Sequence, residues 1–338
     1  MISNWSKVKS VPKSYIFPVG ERPDDNIIAP FCNSIPIIDL QSLSSQRTEI
    51  INQILKASQD YGFFQLINHG ISGELIRDMM LVAEELFDLP TEDKARLYSD
   101  DPNKLCRMKM SIDYAKEKVH YWRENFQQPC HPLQDYINDW PTNPPRYREV
   151  AGRYAVEVRK ASLLILDLIC EGLGLDNGYL KENFSHQQLL TVNHYPKCPD
   201  PSLVLGLPSH CDPHMITFLN QGQIPGLQVY KDQQWFYVEP IPNAFVVNIG
   251  YTLEIISNGK LKSGVHRVVT NSDKARTTVV NFIFPSLETH IEPAKKLVHG
   301  SKNGSPLFKD FIFKDFFVSY LTDIRNGNDP LHQYIIRS

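Results

Sequence analysis

The sequence has no excess of charge of either sign, no long hydrophobic run and few cysteines. Its 35 basic and 38 acidic side chains give a net charge of −3, so it lacks the basic surface of a nucleic-acid-binding protein and any polybasic membrane patch. No stretch approaches the roughly 18 apolar residues typical of a transmembrane helix, and the first residues do not resemble a signal peptide. We therefore expect a cytoplasmic protein that acts on a small molecule and binds neither nucleic acid nor a membrane.

The cysteines form no C-x-x-C pair and are irregularly spaced. This pattern favours reduced, mostly buried side chains in an intracellular protein over a disulfide framework. The six positions are Cys32, Cys106, Cys130, Cys170, Cys198 and Cys211.

The hydrophobic pattern changes near residue 189. Before it, apolar residues recur at helical spacing over 46–60, after Ser72 and over 147–173, where Gly172 and Gly174 are expected to end the helix. After it, short strand-like runs alternate with Gly, Pro, Asn and Asp, which favours a sandwich or barrel, and a jelly roll fits. The predicted strands are 189–195, 203–210, 215–219, 226–230, 234–239, 244–249 and 277–284, after earlier strands at 35–40 and 63–67.

The predicted fold is therefore mixed α/β (α+β), with a double-stranded β-helix, or jelly-roll, core flanked by N-terminal helices and a C-terminal helical lid. We expect one integrated unit with three parts. Residues 1–188 form a mostly helical region that packs on the core. Residues 189–300 form the core itself, and residues 301–338 supply the lid, with a helix predicted from Phe311 to Leu321.

Two histidines and an aspartate have the pattern of a non-haem iron site. His210 and Asp212 are two residues apart in a strand-like stretch, so their side chains share a face while Cys211 points away. His266 follows later, on another predicted strand. Two imidazoles and one carboxylate on one side of a metal leave the other positions open, as in Fe(II) centres that activate oxygen.

A candidate carboxylate anchor follows the last histidine. Arg276 and Thr278 share a face at the head of an apolar strand, and a buried guanidinium is costly without an anion beside it. Asn193 and Tyr195 share another strand face and are predicted to add polar contacts. A metal and an arginine at opposite ends suit a dicarboxylate with the shape of 2-oxoglutarate.

The chain resembles the plant 2-oxoglutarate- and Fe(II)-dependent dioxygenases over most of its length, and within them it is most similar to the hyoscyamine 6-hydroxylase group. The stretches that carry the family resemblance are Ile35–Leu40, Tyr61–Gly70, Asn193–Pro199, Pro225–Val229, Asn248–Gly250, Ser257–Gly259 and His266–Val268. Those similar to the hyoscyamine group are Val156–Lys160, Ile169–Leu175, Ile241–Asn248 and Ile291–Lys295.

The resemblance implies Fe(II) bound by His210, Asp212 and His266, and 2-oxoglutarate bound by Arg276 and Thr278. It also implies O2 as a reactant, ascorbate as a supporting reductant and a monomeric state. The implied reaction hydroxylates, desaturates, epoxidises or dealkylates a small hydrophobic plant metabolite and releases succinate and CO2. An alkaloid is one candidate substrate, and a hormone or phenolic compound is the alternative.

The chain departs from the family pattern at three positions. Thr278 stands where the family has serine, and because it keeps the hydroxyl we expect cosubstrate binding to survive. Tyr251 stands where an aspartate is common, a change shared with the hyoscyamine group. His194 replaces a tyrosine and is expected to alter the pocket wall.

Aromatic residues in the variable region, on the last core strand and near the lid are the predicted substrate contacts, because an aromatic pocket suits a hydrophobic, ring-bearing metabolite. The candidates are Tyr121, Phe126, Tyr251, Phe282, Phe284 and Tyr320.

Two other interpretations use the same residues. A zinc site could combine His210, His214 and Cys211, although the strand pattern points Cys211 away and Pro213 breaks a helix that would align the histidines. A binding protein that has kept the fold and lost the chemistry is the alternative from another functional class.

Overall fold

The computed structural model of the chain describes residues 5–23, 31, 35–101, 103–110, 116–300 and 304–336. Cys32 lies outside the described residues. The helices are α1 Arg47–Asp60, α2 Gly73–Asp88, α3 Thr91–Leu97, α4 Leu133–Tyr136, α5 Tyr147–Leu173, α6 Tyr179–Phe184, α7 Tyr251–Ile256, α8 Lys295–His299 and α9 Phe313–Asn326. The strands are β1 Ile37–Asp39, β2 Phe63–Ile67, β3 Arg107–Lys109, β4 Glu124–Pro129, β5 Gln187–Tyr195, β6 Leu207–His210, β7 Ile216–Asn220, β8 Leu227–Lys231, β9 Gln234–Tyr237, β10 Phe245–Ile249, β11 His266–Val268, β12 Arg276–Phe284, β13 His290–Ile291 and β14 Phe311–Ile312.

Two sheets form the core. The larger has eight strands in the order β1-β2-β10-β7-β12-β5-β4-β3, and the smaller has four in the order β6-β11-β8-β9. Neighbouring strands are antiparallel apart from the parallel pair β1 and β2. Strands distant in sequence are therefore adjacent in space, as in a jelly roll. The predicted mixed α/β fold with a jelly-roll core is confirmed.

Helices α1, α2 and α5 pack together beside the large sheet, with their apolar faces in the main hydrophobic cluster. The α2 helix starts as predicted, because the Ser72 hydroxyl accepts a hydrogen bond from the Glu74 N–H at 3.2 Å. Gly174, with φ +69°, caps α5. The expectation that Gly172 also ends this helix was wrong. A Cβ at Gly172 would lie 2.6 Å from Leu55 Cδ1, so this glycine permits close packing of α5 on α1.

The region 100–145 contains two strands that the periodicity missed. Strand β4 pairs with β5 along its whole length, and β3 pairs with β4 at the sheet edge. The β4 sequence, ENFQQP, lacks the β-branched residues that usually indicate a strand. The division of the chain into three parts at residues 188 and 300 remains a prediction. Strands β1–β4, which lie in the first of these parts, belong to the large sheet.

The last helix is longer than predicted, and it begins at Phe313 instead of Phe311. Phe311 and Ile312 pair with β13, and α9 then runs from Phe313 to Asn326. Within the described part of the chain, no helix combines the length and apolar composition needed to cross a bilayer.

Candidate metal centre and active-site cavity

The predicted metal ligands meet at one end of the small sheet. Strands β6 and β11 are antiparallel neighbours, and His266 lies directly opposite His210. Asp212 follows two residues after His210. The Asp212 Oδ1 atom lies 3.6 Å from His210 Nε2 and 4.0 Å from His266 Nε2. One potential ligand atom from each side chain lies within 4.8 Å of the others, so a single ion can contact all three.

Backbone carbonyls fix the orientation of both imidazoles. The Nδ1 atom of His210 lies 2.8 Å from the Pro208 carbonyl oxygen, and that of His266 lies 3.1 Å from the Gly264 carbonyl oxygen. A carbonyl only accepts hydrogen bonds, so each Nδ1 carries a proton, and each Nε2 is the ring nitrogen that faces Asp212. Burial, together with the neighbouring His266, lowers the pKa of His210 to about 3. The imidazole is therefore neutral at pH 7, as a metal ligand must be.

The large sheet orients the carboxylate. Asp212 Oδ2 accepts hydrogen bonds of 2.6 Å from Thr217 Oγ1 on β7 and from Asn248 Nδ2 on β10. The other oxygen, Oδ1, is left facing the two imidazoles. Although burial works against ionisation, the electrostatic influence of the imidazoles of His266 and His210, together with the hydrogen bond from Thr217, lowers the pKa of Asp212. Two imidazole nitrogens and one carboxylate oxygen on one side fit Fe(II).

The zinc alternative is not supported by the geometry. Cys211 packs in the main hydrophobic cluster and is not part of the metal-ligand group within the described residues. The His214 ring packs against Phe282 in a tilted arrangement, with centroids 4.4 Å apart, and does not join the metal-ligand group within the described residues.

A cavity of about 210 Å³ opens beside the three ligands. It lies between the sheets, because residues of β5, β7 and β12 line it on one side and residues of β6, β8 and β11 on the other. Helix α9 contributes a third wall.

Arg276 reaches the cavity from β12. Its side chain is buried and its Nε donates to the Ile224 carbonyl oxygen at 2.9 Å, while Nη2 has no hydrogen-bond partner within the described residues. Burial lowers the pKa of Arg276 to about 10, so it is still charged at pH 7. A buried cation with an unsatisfied N–H group fits the carboxylate of 2-oxoglutarate. Glycine at position 226 provides the necessary room, because a Cβ there would lie 2.9 Å from Arg276 Cδ.

The other predicted cosubstrate residues lie beside this arginine. Tyr195 is opposite Arg276 in the β5–β12 pair, and Asn193 is opposite Thr278. All four side chains line the cavity. Asn193 Oδ1 accepts hydrogen bonds from Arg123 Nη1 at 3.0 Å and Asn125 Nδ2 at 2.8 Å, which leaves its own NH₂ group to donate.

His194 does not form the pocket wall that we expected. Its side chain is on the other face of β5, where the ring stacks on Phe87 and Nδ1 lies 3.0 Å from Thr277 Oγ1. The exchange of tyrosine for histidine therefore acts on the packing of α2 against the sheet.

Three of the six predicted substrate contacts line the cavity, namely Tyr121, Phe282 and Tyr320. The placement of the other three differs from the prediction. Phe126 points to the helical side of β4, against Tyr147. Phe284 packs near the end of β12 against Phe313, and Tyr251 packs against Phe316 behind the cavity.

Sequence reasoning missed two groups of lining residues. The first group comes from the two unpredicted strands. It consists of Lys109 on β3, Arg123 directly before β4, and Asn125 and Gln127 on β4. The second comprises Phe317, Leu321 and Ile324, which share one face of α9 with the predicted contact Tyr320. Their i, i+3, i+4 and i+7 spacing was visible in the sequence and could have identified the second group.

Comparison with known proteins gives matches over most of the chain. The 2OG-Fe(II) oxygenase superfamily matches residues 186–285, and the N-terminal region of the non-haem dioxygenase in morphine synthesis matches residues 35–143. Hyoscyamine 6-dioxygenase of Hyoscyamus niger is 41% identical over 349 residues, covering 99% of this chain and 98% of the relative. Protein DOWNY MILDEW RESISTANCE 6 of Arabidopsis thaliana is 40% identical over 323 residues, covering 95% of this chain and 94% of the relative.

A solved structure is similar over nearly the whole fold. The crystal structure of JOX2 in complex with 2OG, Fe and JA has a TM-score of 0.86 and 34% sequence identity. The match covers 98% of this chain and 95% of that one.

Proposed function

We propose that this chain, which belongs to the 2OG-Fe(II) oxygenase superfamily, holds its Fe(II) with His210, Asp212 and His266. The chain is a 2-oxoglutarate-dependent dioxygenase, and therefore an oxidoreductase that uses Fe(II), 2-oxoglutarate and O2. The residue assignment rests on one observation. The three ligand atoms and the buried Arg276 lie around the same cavity.

The protein's own part in the reaction is positioning. When bound, Fe(II) and 2-oxoglutarate supply the oxidising chemistry, in which O2 is consumed and succinate and CO2 are released. Asn248 and Thr217 keep the Asp212 carboxylate turned toward the imidazoles. Arg276 and Thr278 hold the far carboxylate of the cosubstrate, and Asn193 and Tyr195 extend that polar surface. The apolar walls exclude water, so the placement of the substrate determines which C–H bond reacts.

The proposed organic substrate is a small hydrophobic, ring-bearing plant metabolite. Phe282 and Phe317 line the cavity together with aliphatic side chains of β5, β7 and α9, among them Leu189, Leu219 and Leu321. Such walls suit an apolar ring system. A relative with 41% identity is named for hyoscyamine and the solved JOX2 complex holds JA, so both an alkaloid and a hormone or phenolic compound are candidates. Hydroxylation, desaturation, epoxidation and dealkylation are all compatible with the site.

A spectroscopic titration separates the enzyme from a silent metabolite-binding protein on the same fold. We expect Fe(II) and 2-oxoglutarate, added without oxygen, to produce a visible metal-to-ligand charge-transfer band. With oxygen and a plant metabolite panel, we expect substrate-stimulated succinate release, with products identified by mass spectrometry. His210→Ala should abolish both signals. The matched control is His290→Ala, because His290 is an exposed histidine that bonds to Asp310 and is not a member of the ligand group. Absence of the band in the unaltered protein favours the silent binding protein, and normal turnover by His210→Ala rules out the proposed ligand set.

A further inference from the structure

The part of the cavity beside β3 and β4 carries positive charge that neither the metal ligands nor the cosubstrate anchor uses. Lys109 on β3 and Arg123, just before β4, both line the cavity. Lys109 pairs in register with Asn125, and Arg123 lies two residues before Asn125, so the three side chains share one face of the sheet. The two cations are therefore diagonal neighbours.

These two side chains have unsatisfied donors. Arg123 is only 6% exposed, and although Nη1 donates to Asn193, its buried Nε has no hydrogen-bond partner within the described residues. The Lys109 ammonium makes no hydrogen bond or ion pair in the described part of the chain. Burial, followed by the charges of Arg123 and Arg107, lowers the pKa of Lys109 to about 7. Only the Arg123 Nε is fully buried, whereas Lys109 is half-buried. An anion between the two side chains would pair with both, and a buried guanidinium donor without a partner is costly.

The acidic residues that the structure describes near these two cations do not remove this imbalance. Asp212 is the carboxylate among the described lining residues, and it is committed to the metal centre. Glu117 acts on Lys109 electrostatically, but it lines the neighbouring cavity and lies 3.9 Å from His120 Nδ1. Glu124 lies on the opposite face of β4, where it pairs with Lys94 at 3.3 Å.

The cosubstrate does not account for these cations either. The two charges of Fe(II) and the one of Arg276 are balanced by Asp212 and the two carboxylates of 2-oxoglutarate. The strand order β12-β5-β4-β3 separates the Arg276 strand from the Lys109 strand by three spacings, or roughly 14 Å. The four C–C bonds of 2-oxoglutarate, about 1.5 Å each, span at most roughly 6 Å.

We propose that Lys109, assisted by Arg123, binds a carboxylate on the organic substrate, so that the substrate is an apolar ring-bearing acid. Within this site Arg123 has a second, positioning role through its bond to Asn193. The apolar body of the acid lies against Phe282 and the α9 face, and its charged end lies toward β3. This inference rests on the proposed function, and it narrows the substrate class from hydrophobic metabolites in general to their anionic members.

The test compares matched probes on the holoenzyme. Oxygen-free protein is loaded with Fe(II) and 2-oxoglutarate, and the charge-transfer band is recorded first. Calorimetric titration then measures the Kd of a panel of aryl- and cycloalkyl-alkanoic acids, each beside its primary amide and its corresponding amine. We expect at least one acid to bind about tenfold or more tightly than both counterparts, as a charge-assisted hydrogen bond requires. Absence of the band would defeat the proposed function itself. A normal band without any acid preference, including no binding of any acid, overturns this inference alone.

Variants at position 109 give a second readout. Lys109→Met should reduce the acid preference by about tenfold, Lys109→Arg should retain most of it, and Lys109→Glu should shift the preference toward amines. The matched control is Lys118→Met, because Lys118 is an exposed lysine of the neighbouring cavity and should keep the acid preference. An unchanged charge-transfer band and unfolding temperature show that a variant is folded and loaded. Full acid preference in folded Lys109→Met contradicts the proposal.

Discussion

Removing one hydrogen bond behind Asp212 should weaken Fe(II) binding without touching any metal ligand. Thr217→Val keeps the shape of the side chain and deletes the 2.6 Å hydrogen bond to Asp212 Oδ2. A hydrogen bond to a charged group contributes about 1.5–3 kcal/mol. Because Asn248 still donates to the same oxygen at 2.6 Å, we place the loss at the lower end, which corresponds to about tenfold in metal affinity.

The assay is an oxygen-free Fe(II) titration at saturating 2-oxoglutarate, followed by the charge-transfer band. Thr191→Val is the matched control, since Thr191 also lines the cavity but its hydroxyl does not bond to Asp212. Asn248→Leu combined with Thr217→Val should cost more than either change alone, because Oδ2 then has no donor. If folded Thr217→Val binds Fe(II) as tightly as the unaltered protein, the hydrogen bond does not orient the carboxylate and our reasoning about Asp212 is wrong.

Other predictions concern the two ends of the cavity. Arg276→Met should raise the KM for 2-oxoglutarate about tenfold or more, since a charge-assisted contact is lost; steady-state succinate assays measure it, and an unchanged KM contradicts the clamp. Gly226→Ala should raise the same KM by a smaller factor, because the new Cβ would lie 2.9 Å from Arg276 Cδ and displace it; a KM equal to that of the unaltered protein shows that the arginine adapts. Acid binding should weaken as pH rises through about 7, the pKa of Lys109, because the lysine loses its proton there; calorimetry across pH 6–9 checks this, and Lys109→Arg should remove the pH dependence.

The strand-rich half could be predicted from the sequence because its signals are local. Period-two alternation predicted that His210 and Asp212 share one face and that Arg276 and Thr278 share another. In the structure all four side chains line the cavity. Short strands bounded by Gly, Pro and Asn have clear ends, so most predicted strands lie within a few residues of the observed ones.

The substrate end could not be predicted in the same way. Strand β4 has polar residues on the face that lines the cavity and a proline at its end, so its pattern resembled a loop. Its place beside β5 depends on long-range pairing, which no local pattern encodes. The side to which Phe126 points follows from that pairing. The positions of Lys109 and Arg123 in the cavity follow from it too.

Anomalous diffraction at the iron edge tests the metal assignment most directly. Crystals of the unaltered protein would be grown without oxygen in the presence of Fe(II) and 2-oxoglutarate. We expect one strong iron peak within coordination distance of His210 Nε2, Asp212 Oδ1 and His266 Nε2, with 2-oxoglutarate density extending from it to Arg276. A peak elsewhere, or no iron between these three atoms at saturating Fe(II), would contradict the proposed centre.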